Sequence, residues 1–183
     1  MERCTIYVDG ASKGNPGPAA IGVAIYDADR VVFEEGRYVG KMTNNMAEYR
    51  ALVFGLEKAI ELEARHVVVL SDSELMVRQM IGLYRVKSER LCPLYEQARA
   101  LCKSLESFKI RHIPRTQNKR ADALASQAIM LHRVRSVVNR MNNEQYPPPG
   151  TPNSYLEKAA GAGRMIAPIL GEESPSSAGQ DAG

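Results

Sequence analysis

The stretch Thr5-Ile-Tyr-Val-Asp-Gly-Ala-Ser-Lys-Gly-Asn-Pro-Gly-Pro18 decides how the rest of the chain is read. Ile6 and Val8 alternate towards a core, Asp9 stands at the end of the strand, and the Gly/Pro turn that follows breaks the run. A carboxylate at such a junction is well placed to hold a hard cation, which prefers oxygen ligands. The question for the remaining sequence is whether more carboxylates reach the same junction.

Working outward, residues 3–9, 19–28 and 31–39 read as three strands joined by short turns, an antiparallel meander rich in Val, Ile, Phe and Tyr. Thr43-Asn-Asn45 resembles a helix start, with Asn or Thr as cap and Glu48 three residues after Asn45 as in a capping box. Apolar or small residues at 47, 51, 52, 55, 56, 59 and 60 mark one helical face. His66-Val-Val-Val-Leu-Ser-Asp72 is an apolar run ending on a carboxylate, the pattern of a parallel strand buried on both faces. Short helices are expected from Ser73 to about Met80 and over 92–105, then a strand over 108–114 ended by Pro114. A last helix is expected from Asn118 to about Arg133, with Ala121, Leu124, Ala125, Ala128 and Ile129 facing inward. This order predicts an α/β fold: a mixed five-stranded sheet, three antiparallel strands then two parallel ones, flanked by helices.

The chain has 183 residues, enough for one domain with a sizeable core and some extra. No apolar run approaches the roughly 18–20 residues that cross a bilayer, and Met1-Glu-Arg-Cys-Thr leads straight into a strand, without a leader pattern. Cys4, Cys92 and Cys102 are too scattered for a disulfide framework or a zinc site. The expectation is a reducing, cytoplasmic location and no membrane. The five Lys/Arg and five Asp/Glu beyond residue 132 cancel, so the net charge of +3 belongs to the body. If four of the body's acids surround cations, the remaining surface leans towards a polyanion. Pro147-Pro-Pro-Gly150 and the Ser/Gly-rich end suggest a domain over 1–140 and a largely disordered tail over 141–183, with Tyr155–Leu170 as a docking segment for an unknown partner.

Four carboxylates flank strand-to-loop junctions: Asp9, Glu48, Asp72 and Asp122. The blocks that bear them are Asp9-Gly-Ala-Ser-Lys-Gly-Asn-Pro-Gly17, Thr43-Asn-Asn-Met-Ala-Glu-Tyr-Arg-Ala-Leu52, Ser71-Asp-Ser73 and Asn118-Lys-Arg-Ala-Asp-Ala-Leu-Ala125. In order and spacing they resemble the signature blocks of type 1 ribonuclease H, over about residues 3–132. The resemblance implies the ribonuclease H fold and endonucleolytic cleavage of the RNA strand of an RNA–DNA hybrid, leaving 5′-phosphate and 3′-hydroxyl ends. It implies two Mg²⁺ ions, with Mn²⁺ as a substitute, bridged by Asp9. Glu48 and Asp72 then hold the ion near the leaving oxygen, and Asp122 the ion that activates water. Relatives often carry a His in the loop before the last acid. Here His112 falls on the predicted strand, so Arg115 is assigned as the loop residue near the scissile phosphate. By the same likeness Asn15, Asn45 and Ser73 read 2′-hydroxyls and Thr43 and Asn44 hold a DNA-strand phosphate. The chain has no Trp, so it lacks the long basic, Trp-rich protrusion of some relatives, for which Arg85, Lys87 and Arg90 are a reduced substitute. No separate hybrid-binding module is expected, and the protein is expected to act as a monomer. Alternatives are a non-catalytic binding module on this fold, or a nuclease of the same fold acting on another substrate.

Overall fold

The computed structural model describes residues 1–145. The expected break at Pro147–Gly150, the Tyr155–Leu170 segment and the end of the tail lie outside the described residues. The strands are β1 (Arg3–Ser12), β2 (Gly17–Asp27), β3 (Arg30–Met42), β4 (His66–Ser71) and β5 (Ser107–His112). The helices are α1 (Asn44–Glu61), α2 (Glu74–Met80), α3 (Cys92–Lys103) and α4 (Lys119–Gln145), with a 3-10 turn at Arg115–Gln117 before α4. One five-stranded sheet has the order β3-β2-β1-β4-β5. β1 pairs antiparallel with β2 and parallel with β4, and β4 pairs parallel with β5. This is the mixed α/β sheet expected from the sequence.

Alternation along β1 sorts the two faces. Ile6 and Val8 point to one side, where they form the main core with Val23, Ile25, Val69, Leu52 and Leu56, all fully buried. α1 is buried on more of its surface than one stripe, since Tyr49, Val53 and Phe54 are covered as well. The Tyr49 hydroxyl donates to Gln79 Oε1 at 3.0 Å, tying α1 to α2. On the other face, α4 sits directly on β2 and β3. A Cβ at Gly22 would lie 2.0 Å from the Ala121 carbonyl oxygen, and one at Gly36 would lie 2.2 Å from that of Leu124. Ala121, Ala125, Ala128 and Ile129 supply the small, buried contact stripe of α4.

Most element ends shift by a few residues from the sequence reading, and three points matter. β1 runs on to Ser12, because β2 continues to pair with it as far as Ser12↔Ala19. α4 continues to Gln145 rather than ending near Arg133: residues 134–145 contain no Gly or Pro, and residues 134–142 are all exposed, Val134, Val137 and Met141 among them. Helix α1 is capped by Thr43, whose hydroxyl accepts from the Met46 N–H at 3.3 Å. Glu48 therefore has no part in a capping box.

The backbone approach at Gly22 yields a stability prediction. Gly22→Ala is expected to lower unfolding free energy by about 3 kcal/mol, since backbone atoms must move. Gly55→Ala meets only side-chain ends, the nearest being Ile6 Cγ2 at 3.1 Å, and should cost about 1 kcal/mol or less. Urea unfolding of both variants checks this, and equal losses would contradict it.

Candidate active site

Asp9 lies within β1, opposite Gly22, and not at the strand's end as the sequence suggested. Its surroundings are nevertheless those of a junction. The β1–β4 ladder stops at Tyr7↔Leu70, and β4 ends at Ser71, so Asp9 and Asp72 both follow the point where the parallel strands part. α1 crosses β1 at Gly10, where an added Cβ would lie 2.1 Å from the Glu48 nitrogen. That contact carries Glu48 onto β1, and the Gly10 N–H donates to Glu48 Oε2 at 3.1 Å. Asp9 and Glu48 are each only 6% exposed.

Asp72 and Asp122 are half-buried and each has its own partner. The Asn118 side-chain amide, fully buried, donates to Asp72 Oδ1 at 2.6 Å and to the Val8 carbonyl at 2.9 Å. Its Oδ1 is buried and makes no hydrogen bond. The Arg115 guanidinium, exposed on the 3-10 turn, pairs with the Asp122 carboxylate. Burial, followed by the charges of Asp72 and Asp122, pushes Asp9 up to about 7, against a partial offset from Arg115. Burial, then Asp9 and Asp72, pushes Glu48 up to about 9. Asp72 and Asp122 are thus near enough to disfavour the charge of Asp9, and Asp9 and Asp72 that of Glu48. They do not close onto one point: among the described residues no three His, Cys, Asp or Glu side chains form a ready-made metal cage. The donor set is all carboxylate oxygen, which suits a hard divalent cation, and the mutual repulsion is what such a cation relieves. The residues fit that role, provided Asp122 turns from Arg115.

The other sequence candidates lie around this cluster. Asn15 is exposed in the β1–β2 loop and its Oδ1 accepts from the Asn44 N–H at 3.1 Å, which joins that loop to the start of α1. Asn44 and Asn45 are exposed, while Thr43 is half-buried in its capping role. Ser73 is half-buried after β4, its N–H donating to the Ser71 hydroxyl at 3.1 Å. His112, expected on the inner side of β5 with Ile110, is exposed instead, and Ile113 is the buried neighbour. The sequence marks Asn118 as a helix start and the first residue of the Asp122 block, and gives it no contact of its own. Its place four residues before Asp122, in the same block, was the available signal.

Two predictions follow from these contacts. Asp9 and Glu48 have folded pKa values above the ordinary unfolded values near 4. The folded state therefore loses stability as pH rises from about 4 through about 7 for Asp9 and about 9 for Glu48. In metal-free buffer, Asp9→Asn and Glu48→Gln should raise the melting temperature at pH 8 by roughly 5 °C, with little change at pH 4. No gain at pH 8 would contradict the crowding. Asn118→Ala should lower stability by about 2 kcal/mol, since it strips buried partners from Asp72 and Val8; calorimetry would measure it.

Known proteins resemble this chain in sequence and fold. Residues 7–128 match the family model described as reverse transcriptase-like. A bifunctional protein of Mycobacterium tuberculosis is 43% identical over 129 residues, which is 69% of this chain but 35% of that protein. The chain therefore spans about a third of that relative's length. The ribonuclease HI of Halobacterium salinarum is 40% identical over 128 residues, 69% of this chain and 64% of the relative. A crystal structure of ribonuclease H1 from that archaeon superposes with a TM-score of 0.68, covering 69% of this chain and 97% of the other at 40% identity. The LC11 ribonuclease H1, solved in complex with an RNA/DNA hybrid, has a TM-score of 0.67 and 39% identity, covering 70% of this chain and 98% of its own. The chain belongs to the type 1 ribonuclease H family.

Proposed function

We infer that residues 1–140 hydrolyse the RNA strand of RNA–DNA hybrids endonucleolytically, leaving 5′-phosphate and 3′-hydroxyl ends, and that residues 141–183 are an appendage. The observation that carries the reading is the crowding of Asp9 against Asp72 and Asp122, with Glu48 drawn alongside by Gly10. Carboxylates gathered so that Asp9 and Glu48 are pushed well above the ordinary range are poor scaffolding and a good cation trap. The hybrid bound by the LC11 relative supports the choice of substrate.

Asp9, Glu48, Asp72 and Asp122 would hold two Mg²⁺ ions, with Mn²⁺ as substitute. Bound there, the ions would neutralise the scissile phosphate, lower the pKa of water and stabilise the leaving oxygen. Asp9, which feels the charges of both Asp72 and Asp122, would be shared between the ions. Glu48 and Asp72 would serve the leaving-oxygen side, and Asp122 the water side. The Gly10 N–H and the Asn118 amide fix the orientation of Glu48 and Asp72 before substrate arrives.

Arg115 has a two-part role in this reading. In the metal-free site it is the counter-charge of Asp122. Once Asp122 turns to a cation, the guanidinium is free to bind phosphate, though it stays protonated and does not act as a base. Asn15, Asn45 and Ser73 would meet 2′-hydroxyls across the minor groove, and the start of α1 at Thr43 and Asn44 a DNA phosphate. With no Trp in the chain and a short α2–α3 link, Arg85, Lys87 and Arg90 would supply a small share of hybrid binding. That binding should be weak and salt-sensitive.

The test is cleavage of a labelled hybrid with Mg²⁺. The parent protein should cut RNA within the hybrid and leave duplex DNA intact. Asp9→Asn should lose at least about a thousandfold in kcat, and Arg115→Ala about tenfold, as expected when a charge-stabilising group is removed. An intact hybrid at catalytic protein concentration would refute the reading, and preferential cutting of duplex RNA would favour a different substrate.

A further inference from the structure

α4 covers only half of its side of the sheet. It packs on β2 and β3 through Gly22 and Gly36, and no other helix among the described residues covers the β1–β4–β5 half. Pairing registers put Thr5 and Tyr7 of β1, Tyr26 of β2, Val68 and Leu70 of β4, and Lys109 and Arg111 of β5 on this open face. They line two adjoining hollows of about 550 and 640 Å³ that share Thr5, Ala28 and Val68. Parallel strands are ordinarily covered on both faces, so a face that the described residues leave uncovered and that is still half apolar calls for an occupant.

The chemistry of the face selects one. Tyr7 and Tyr26 pack edge to face with ring centroids 5.4 Å apart, which fixes two aromatic rings in its floor. Around them stand Arg3, Lys109 and Arg111, none with a carboxylate in ion-pair range among the described residues, and all exposed. Other charges at the margin are already matched: Arg120 with Glu34, Asp27 with Arg30, and His66 with Glu106. Asp29, at the β2–β3 turn, is the remaining acid of the lining. From His66 to Leu70 the face is about 13 Å long at the usual strand rise, room for two or three nucleotides. Rings on neighbouring strands that stack bases, with free cations for phosphates, make up the recognition surface of sheet platforms for single strands. An acidic peptide would use the cations and leave the tyrosines without a role.

We propose that this open half-sheet binds single-stranded nucleic acid, at a surface separate from the hybrid-cutting site. Tyr7 and Leu70 precede Asp9 and Asp72 by two residues on the same strand faces, so the platform adjoins the acid cluster. The proposal stands whether or not the acids cut hybrids.

The experiment uses the full chain in EDTA with fluorescein-labelled twelve-nucleotide oligo-dT and oligo-U, read by anisotropy. Binding is expected in the range of about 10–100 µM at low salt. The Lys109→Glu/Arg111→Glu variant, altered only at exposed positions, should lose at least tenfold in oligonucleotide affinity. Its kcat/KM on a short blunt-ended hybrid should stay within about twofold of the parent. Amide shift mapping with oligo-dT should move Thr5, Tyr7, Val68 and Lys109. Unchanged affinity in the double variant, shifts confined to the neighbourhood of Asp9 and Glu48, or displacement by a poly-glutamate peptide as effective as by oligonucleotide would each overturn the proposal.

Discussion

The close approach of α1 to β1 at Gly10 is the constraint on which the site depends. A side chain there would lie 2.1 Å from the Glu48 nitrogen and 2.3 Å from the Ala47 carbonyl carbon. Glycine lets the helix come down onto the strand, and the main-chain N–H at that point then grips the Glu48 carboxylate. The outcome is two acids from different elements, Asp9 and Glu48, side by side and 6% exposed, with Asp72 and Asp122 adding charge from the flanks. Folding energy is spent on assembling this repulsion. It comes from the wholly buried core on the opposite face of β1, where Ile6, Val8, Leu52, Leu56 and Val69 pack.

The remaining elements act as buttresses for that cluster. β2 extends β1 past the end of the β4 ladder, so Asp9 is held by antiparallel pairing where the parallel neighbour has already turned away. The buried amide of Asn118 ties the approach to α4 both to β1, through the Val8 carbonyl, and to Asp72. Arg115, three residues earlier, holds Asp122 from outside. Glu48, Asp72 and Asp122 therefore each have a holder of a different kind: a backbone N–H, a buried amide and an exposed guanidinium. The exposed one is the easiest to displace, which makes Asp122 the easiest of the three to release.

Much of this was legible in the residues. Apolar runs, alternation and helical spacing located the five strands and four α-helices, though not the 3-10 turn, and the four acid-bearing blocks pointed to one family. What escaped was information carried by contacts across elements. Asp9 looked like a strand end because the chain turns soon after it, while the true boundary belongs to the neighbouring strand β4. Glu48 looked like a cap because of its distance from Asn45, but its carboxylate turns to a glycine 38 residues away. The burial of Asn118 depends on Val8, 110 residues distant in sequence, and no local pattern reports that. α4 outlasts its inward stripe, with no Gly or Pro to stop it before Gln145.

The account's central claim is that these four carboxylates form one cation site. Crystals of the protein soaked in MnCl₂ and measured at the manganese edge would test it most directly. The account predicts two anomalous peaks between Asp9, Glu48, Asp72 and Asp122, bridged by Asp9, with the Arg115 guanidinium moved off Asp122. Peaks elsewhere on the surface, or an unchanged Arg115–Asp122 pair with no manganese beside it, would contradict it.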